Sequence, residues 1–185
     1  DDFAKLPIPF KAVATDIENP NAPLYLLDKG DLAMALRASM AVPFAFAPVT
    51  VDGHLLVDGG IIDNLPVDVV KNMGADTVIA VDIATPLLNQ IDSSSSLLTV
   101  AKQAMDISLV QNALQARKQA NILIEPDLKE LTLTDFDKSA AMIASGYQAV
   151  MEKRDLFKGL AVSKPEYAKY RAAKHARIPL TFNTI

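Results

Sequence analysis

Three aspartates offer the clearest chemistry in this sequence. Asp16 closes the apolar stretch Phe10–Ile17, Asp82 falls near the end of Thr77–Ile83, and Asp58 follows His54–Val57. In an α/β sheet, ligands bind beyond the carboxyl ends of strands, so each of these carboxylates is a candidate. Asp58 is followed by Gly59 and Gly60, which permit positive φ and close approach of backbone or substrate. They also leave the carboxylate uncrowded. By residue type alone, Asp58-Gly59 is first a turn and second a catalytic base. Asp16 and Asp82 are first caps of a neighbouring loop or helix. His54 and Asp58 stand four apart in a strand and so share a face, with Asp63 and Asp68 beyond. Nothing there supplies a compact ligand cluster, and no metal or cofactor is expected. Ser39 has a hydroxyl, but no glycines flank it to make a strained elbow, and a serine at a helix end is usually structural. The second histidine, His175, falls in a basic stretch with Lys174 and Arg177 and is expected to be solvated. G-x-S-x-G, the P-loop, G-x-G-x-x-G and H-E-x-x-H are all missing.

These residues must be held by a chain whose punctuation is readable. Phe10–Ile17 and Leu24–Leu27 read as strands around a turn marked by Pro20 and Pro23. Asp31 caps a helix to about Met40, with Leu32, Ala35 and Leu36 on one face and Pro43 as its stop. Val49–Val51 and His54–Val57 flank Asp52-Gly53, a hairpin signal because a type I′ turn needs positive φ at both central residues. Pro66–Met73 is a helix with Gly74 just past its end. Thr77–Ile83 is nearly all apolar, as for a strand buried on both faces of a parallel sheet. Asn89–Ser96 is polar and serine-rich and reads as a loop. Leu97–Gln119 is a long helix whose stripe is Leu97, Val100, Ala101, Ala104, Met105 and Ser108. Asn121–Glu125 is a strand and Asp137–Lys153 a helix. Ser163–Glu166 is a capping box that opens a last helix to about His175. Alternation of strands and helices predicts an α/β fold with a largely parallel sheet.

Composition narrows the function. The 185 residues are 50% hydrophobic and 22% charged, enough for one domain with a real core. With no cysteine there is no thiolate nucleophile and no iron–sulfur cluster. A net charge of −4 and a pI of about 5.1 leave no basic footprint for nucleic acid. Apolar runs fall well short of the ~20 residues that span a bilayer. The chain opens Asp1-Asp2-Phe3, without a signal peptide and without Met, so a processed or partial chain is expected.

Taken together, several stretches resemble the second half of a patatin-like phospholipase domain. They are Phe10-Lys-Ala-Val-Ala-Thr-Asp16, Gly30, Ala35-Leu-Arg-Ala-Ser-Met-Ala-Val-Pro43, Asp52-Gly-His-Leu-Leu-Val-Asp-Gly-Gly60, Asn64-Leu-Pro-Val67 and Gly74-Ala-Asp-Thr-Val-Ile-Ala-Val-Asp82. The remainder resembles the helical tail of bacterial members, and Leu6-Pro-Ile-Pro9, Glu125-Pro-Asp127 and Phe136-Asp137 resemble patatin domains of outer-membrane autotransporter fusions. The resemblance implies a three-layer patatin-like fold with a central, largely parallel sheet. It assigns residues 1–177 to the C-terminal part of the domain and 178–185 to a linker or following domain. It implies a lipid acyl hydrolase with a Ser-Asp dyad. The family's Asp-Gly-Gly or Asp-Gly-Ala motif maps onto Asp58, Gly59 and Gly60, with Asp58 as the base. The serine elbow and glycine-rich oxyanion loop lie upstream, so residues 1–185 alone are expected to be inactive. The loop Pro43-Phe44-Ala45-Phe46-Ala47-Pro48 departs from the family's Pro-Gly-x-Phe-x-Pro, with Phe44 in the glycine's place. Implied partners are a phospholipid or other lipid ester, a membrane surface, and a second copy in a homodimer, with no nucleic acid. A secreted or outer-membrane location fits the resemblance, and a cytoplasmic one is the other option. The alternative function is a non-catalytic patatin-like module that binds membranes or dimerises.

Overall fold

The computed structural model describes residues 2–83, 91–92, 94–128, 131 and 135–176. The 177/178 junction and residues 178–185 lie outside the described residues, as do Asn89, Gln90 and Ser93 of the serine-rich loop. The chain divides into two compact units, Asp1–Glu152 and Lys153–Ile185. In the second, a 3-10 helix at Arg154–Leu160 precedes α6 (Lys164–Ala176; α-helices and strands are numbered in chain order). The Ser163 capping box forms as expected, with the Glu166 carboxylate accepting from the Ser163 N–H at 3.0 Å.

The first unit is mixed helix and strand, an α/β fold. Its larger sheet has the order β2-β1-β4-β3. The strands are β1 (Ala12–Asp16), β2 (Leu24–Leu27), β3 (Val49–Val51) and β4 (His54–Asp58). Every residue of β1 is buried. All three pairings are antiparallel, which corrects the expectation of a largely parallel sheet. Short connections impose two of them. Residues 17–23 join β1 to β2, and the two-residue Asp52-Gly53 turn joins β3 to β4, whereas a parallel pair needs a crossover of a dozen or more residues. Asp52 (φ 50°) and Gly53 (φ 84°) both take the left-handed conformation that the hairpin demands.

Parallel pairing occurs where a long helix intervenes. β5 (Ile79–Val81) and β6 (Ile122–Ile124) pair in parallel across α4 (Leu97–Gln119). β5 is not buried on both faces: Ala80 is buried, while Ile79 and Val81 are exposed. Ala80 joins Leu65, Val67, Val78 and Ala113 in a small core beneath α3 (Val67–Asn72) and α4.

Two helices bury faces other than the expected ones. α1 (Leu32–Ser39), capped by Asp31 onto the Met34 N–H at 2.9 Å, buries Ala35 and Ala38 and leaves Leu32 and Leu36 exposed. Small side chains let it approach the sheet, where they meet Ala12, Ala14 and Leu56. On α4, Leu97, Val100, Ala101, Ala104 and Ser108 are exposed and Met105 is half-buried. The buried positions are Asp106 and Ala113. Alanine at 113 allows close packing on α3 and β5, and that contact sets the phase of the helix.

Candidate active site

Asp58 is the last residue of β4, and three hydrogen bonds fix the backbone around it. The Asp58 N–H donates to the Ala41 carbonyl at 3.0 Å, and the Gly59 N–H to that of Ser39 at 3.4 Å. The Thr15 hydroxyl donates to the Asp58 carbonyl at 2.8 Å. The side chain is held as well: Oδ1 accepts the Gly60 N–H at 2.7 Å. Burial pushes the Asp58 carboxyl above the ordinary carboxylate range, and the Gly60 N–H partly offsets this by favouring the charged form.

The two glycines serve space, not positive φ, which corrects the first of the reasons expected for them. Gly59 has φ −66° and ψ −25°, and Gly60 opens the short helix α2 (Gly60–Asp63). A Cβ on Gly59 would stand 2.2 Å from the Val13 carbonyl oxygen. A Cβ on Gly60 would stand 2.9 Å from Asp58 Oδ1 and 2.7 Å from Asn64 Oδ1.

Asp58 borders two cavities. One, of about 260 Å³, is walled by Val42, Pro43, Ile61, Met105 and Leu109, with Asn64, Lys102 and Asp106 as further polar groups. The other, of about 300 Å³, takes in Ser39, Gly60, Asp63 and Asn64. Sequence spacing gave no reason to bring Ser39 to Asp58, yet both line this second cavity. Burial and the neighbouring Asp68 charge raise Asp63 to a pKa of about 6.

The other candidates lie elsewhere. β1 runs antiparallel to β4, with Ala14 opposite Asp58 and Asp16 opposite Leu56, so the carboxyl ends of the two strands face opposite ways. Asp16 instead meets the start of β4, where its Oδ2 lies 2.7 Å from His54 Nδ1, and the His54 interaction lowers its pKa. Tyr25 packs its ring 4.7 Å from that of His54. Asp82 pairs with Arg117 of α4. His54 and Asp58 therefore do not converge, and among the described residues no three histidine, aspartate or glutamate side chains are grouped to hold a metal ion. His175 lies on α6, in the other unit. Lys102, Asp106 and Asp63 were not singled out as site residues from the sequence. The one available signal was an i, i+4 Lys–Asp pair within a helix.

Residues 2–71 match the Patatin-like phospholipase family. This stretch resembles patatin-like proteins. It contains Asp58, Gly59 and Gly60 and stops before α4. An uncharacterised NTE family protein of Mycobacterium tuberculosis is 46% identical over 79 residues, covering 43% of this chain and 21% of that protein. Patatin-like phospholipase domain-containing protein 7 of Mus musculus is 40% identical over 94 residues, 48% of this chain and 7% of that protein. Patatin-like phospholipase domain-containing protein 6 of Homo sapiens is 41% identical over 80 residues, 42% of this chain and 6% of that protein. The similarity thus spans about a fifth or less of the relatives' lengths.

Within the patatin-like stretch, Phe44 has φ 70°. The backbone adopts a conformation suited to glycine although the residue is phenylalanine, and the ring is exposed. Pro43, its neighbour, lines the cleft at Asp58. Arg37 of α1 braces the loop: its guanidinium donates to the Ala47 carbonyl at 3.3 Å and lies 5.1 Å from the centre of the Phe46 ring.

Proposed function

We propose that this chain is the base-bearing part of a serine-dependent lipid acyl hydrolase. Asp58 serves a serine that lies upstream of these residues. The observation that carries this reading is the setting of Asp58 within the patatin-like stretch: a strand-end carboxylate, tethered by Oδ1, bordering an apolar cleft. Asp58 takes the proton from the serine hydroxyl as its oxygen attacks the ester carbonyl. The proton then passes to the departing alcohol. Water, deprotonated in turn by Asp58, attacks the acyl-serine; the proton returns to the serine oxygen as the acyl group leaves as a carboxylic acid. Its raised pKa suits the task, because a base works best with a pKa near the operating pH. The apolar walls take part of the acyl chain, and the substrate comes from a lipid surface.

The test uses Asp58→Asn in the full-length protein. Asparagine keeps the size but cannot accept the proton, so turnover of a p-nitrophenyl ester falls by ~10²-fold or more while circular dichroism is unchanged. Near-normal turnover would overturn the assignment. Ser39→Ala should keep full activity; loss there would place the nucleophile inside this chain.

A further inference from the structure

The cleft beside Asp58 holds a charge arrangement that hydrolysis of a plain ester does not use. Asp106 on α4 is one of few buried charged side chains, and burying a carboxylate without a partner is costly. Lys102, one turn earlier, supplies that partner at 2.6 Å, and its own side chain is half exposed. Both residues line the same cleft as Asp58. Among the described residues lining it, Asp58 and Asp106 are acids and Lys102 is the cation. An ammonium has three donors, and the bond to Asp106 uses one. The other two are left for water or a ligand, and Val42, Ile61, Met105 and Leu109 line the same cleft as Lys102. An apolar wall with a pinned ammonium at its side suits an ester that carries a phosphate close to its acyl chains. Without that cation, two carboxylates would repel such a substrate.

We propose that Lys102, held in place by Asp106, recognises the phosphate of a phosphate-bearing lipid ester, so that α4 sets the headgroup preference of the Asp58 site. This rests on the hydrolase reading above for its place in a reaction, but its test does not need turnover. The probes are non-hydrolysable ethers: 1,2-di-O-hexylglycerol 3-phosphate and the same molecule without phosphate. Binding to the full-length protein is measured by calorimetry. The wild type should bind the phosphate ether at least tenfold more tightly than the neutral one. Lys102→Gln should erase that preference, and Lys102→Arg should keep it. Because Lys102→Gln strands the buried Asp106, the pair Lys102→Gln with Asp106→Asn is measured too and should also lose the preference. Asp58→Asn should keep it, which separates this proposal from the fate of the catalytic one. No preference in the wild type, or a preference that survives Lys102→Gln, would overturn it. So would inorganic phosphate binding as tightly as the ether, since the apolar walls would then contribute nothing.

Discussion

Gly59 and Gly60 make different demands, and two alanine substitutions should separate them. At Gly59 the obstacle is a backbone oxygen 2.2 Å from the new Cβ, which cannot swing away. Overpacking of this kind costs about 1–3 kcal/mol or more, so Gly59→Ala should lower the melting temperature by roughly 5 °C or more. At Gly60 the obstacles are the Asp58 and Asn64 side chains, which can move. Gly60→Ala should therefore fold with a small thermal shift and lose about tenfold or more in kcat, as the carboxylate leaves its tether. Equal thermal losses in both variants would contradict this. Asp63 supplies a pH signature. Its pKa is raised to about 6, so between the ordinary carboxylate range and about 6 the folded chain binds more protons than the unfolded one. Stability from this group is therefore lost as pH rises through that window. Asp63→Asn should raise the melting temperature at pH 8 and not at pH 4; a gain equal at both values would exclude Asp63 as the cause. Asp58 stood out as a candidate from its position and its glycines, but the reason for the glycines did not. Close backbone approach and positive φ both call for glycine, and residue type alone cannot tell them apart.

The elements with local signals were the readable ones. Asp31, Asp52-Gly53, Gly74 and Ser163 each act within a few residues, and each does what its type predicts. The phase of α4 was not legible, because its two candidate faces differ little in hydrophobicity and the contact with Leu65 and Val78 comes from distant sequence. The Pro43–Pro48 loop lies between these cases. Phenylalanine stands in glycine's place, yet φ at Phe44 is 70°. Left-handed backbone at a residue with a Cβ costs roughly 1–2 kcal/mol. Part of any relief is offset by glycine's greater freedom when unfolded. Phe44→Gly should therefore stabilise the protein by about 0.5–1 kcal/mol, read as a shift in denaturation midpoint, whereas Phe44→Ala should not. A stabilised alanine variant would mean that ring exposure, not backbone strain, is the liability.

At the scale of the whole molecule, the cleft joins residues inside and outside the family match. Asp58 belongs to the patatin-like stretch, whereas Lys102 and Met105 belong to a helix beyond it. The α/β class was readable from the alternation of elements, but the direction of pairing was not. Alternation records which elements follow one another, while a short link between adjacent strands forces them to run opposed. One tight turn joins β3 to β4 in the larger sheet: Val51 stands opposite His54, with Asp52 and Gly53 between them. Both residues are exposed. Such a turn can age chemically. The Gly53 nitrogen attacks the Asp52 side-chain carboxyl, water leaves to form a succinimide, and water returns to give an isoaspartyl link that lengthens the main chain by one carbon. Peptide mapping after prolonged storage should find this lesion at Asp52 before Asp58, whose following N–H is engaged by the Ser39 carbonyl. The strand that the damaged turn feeds ends at Asp58, so the age of a preparation should be written into its activity five residues past the turn.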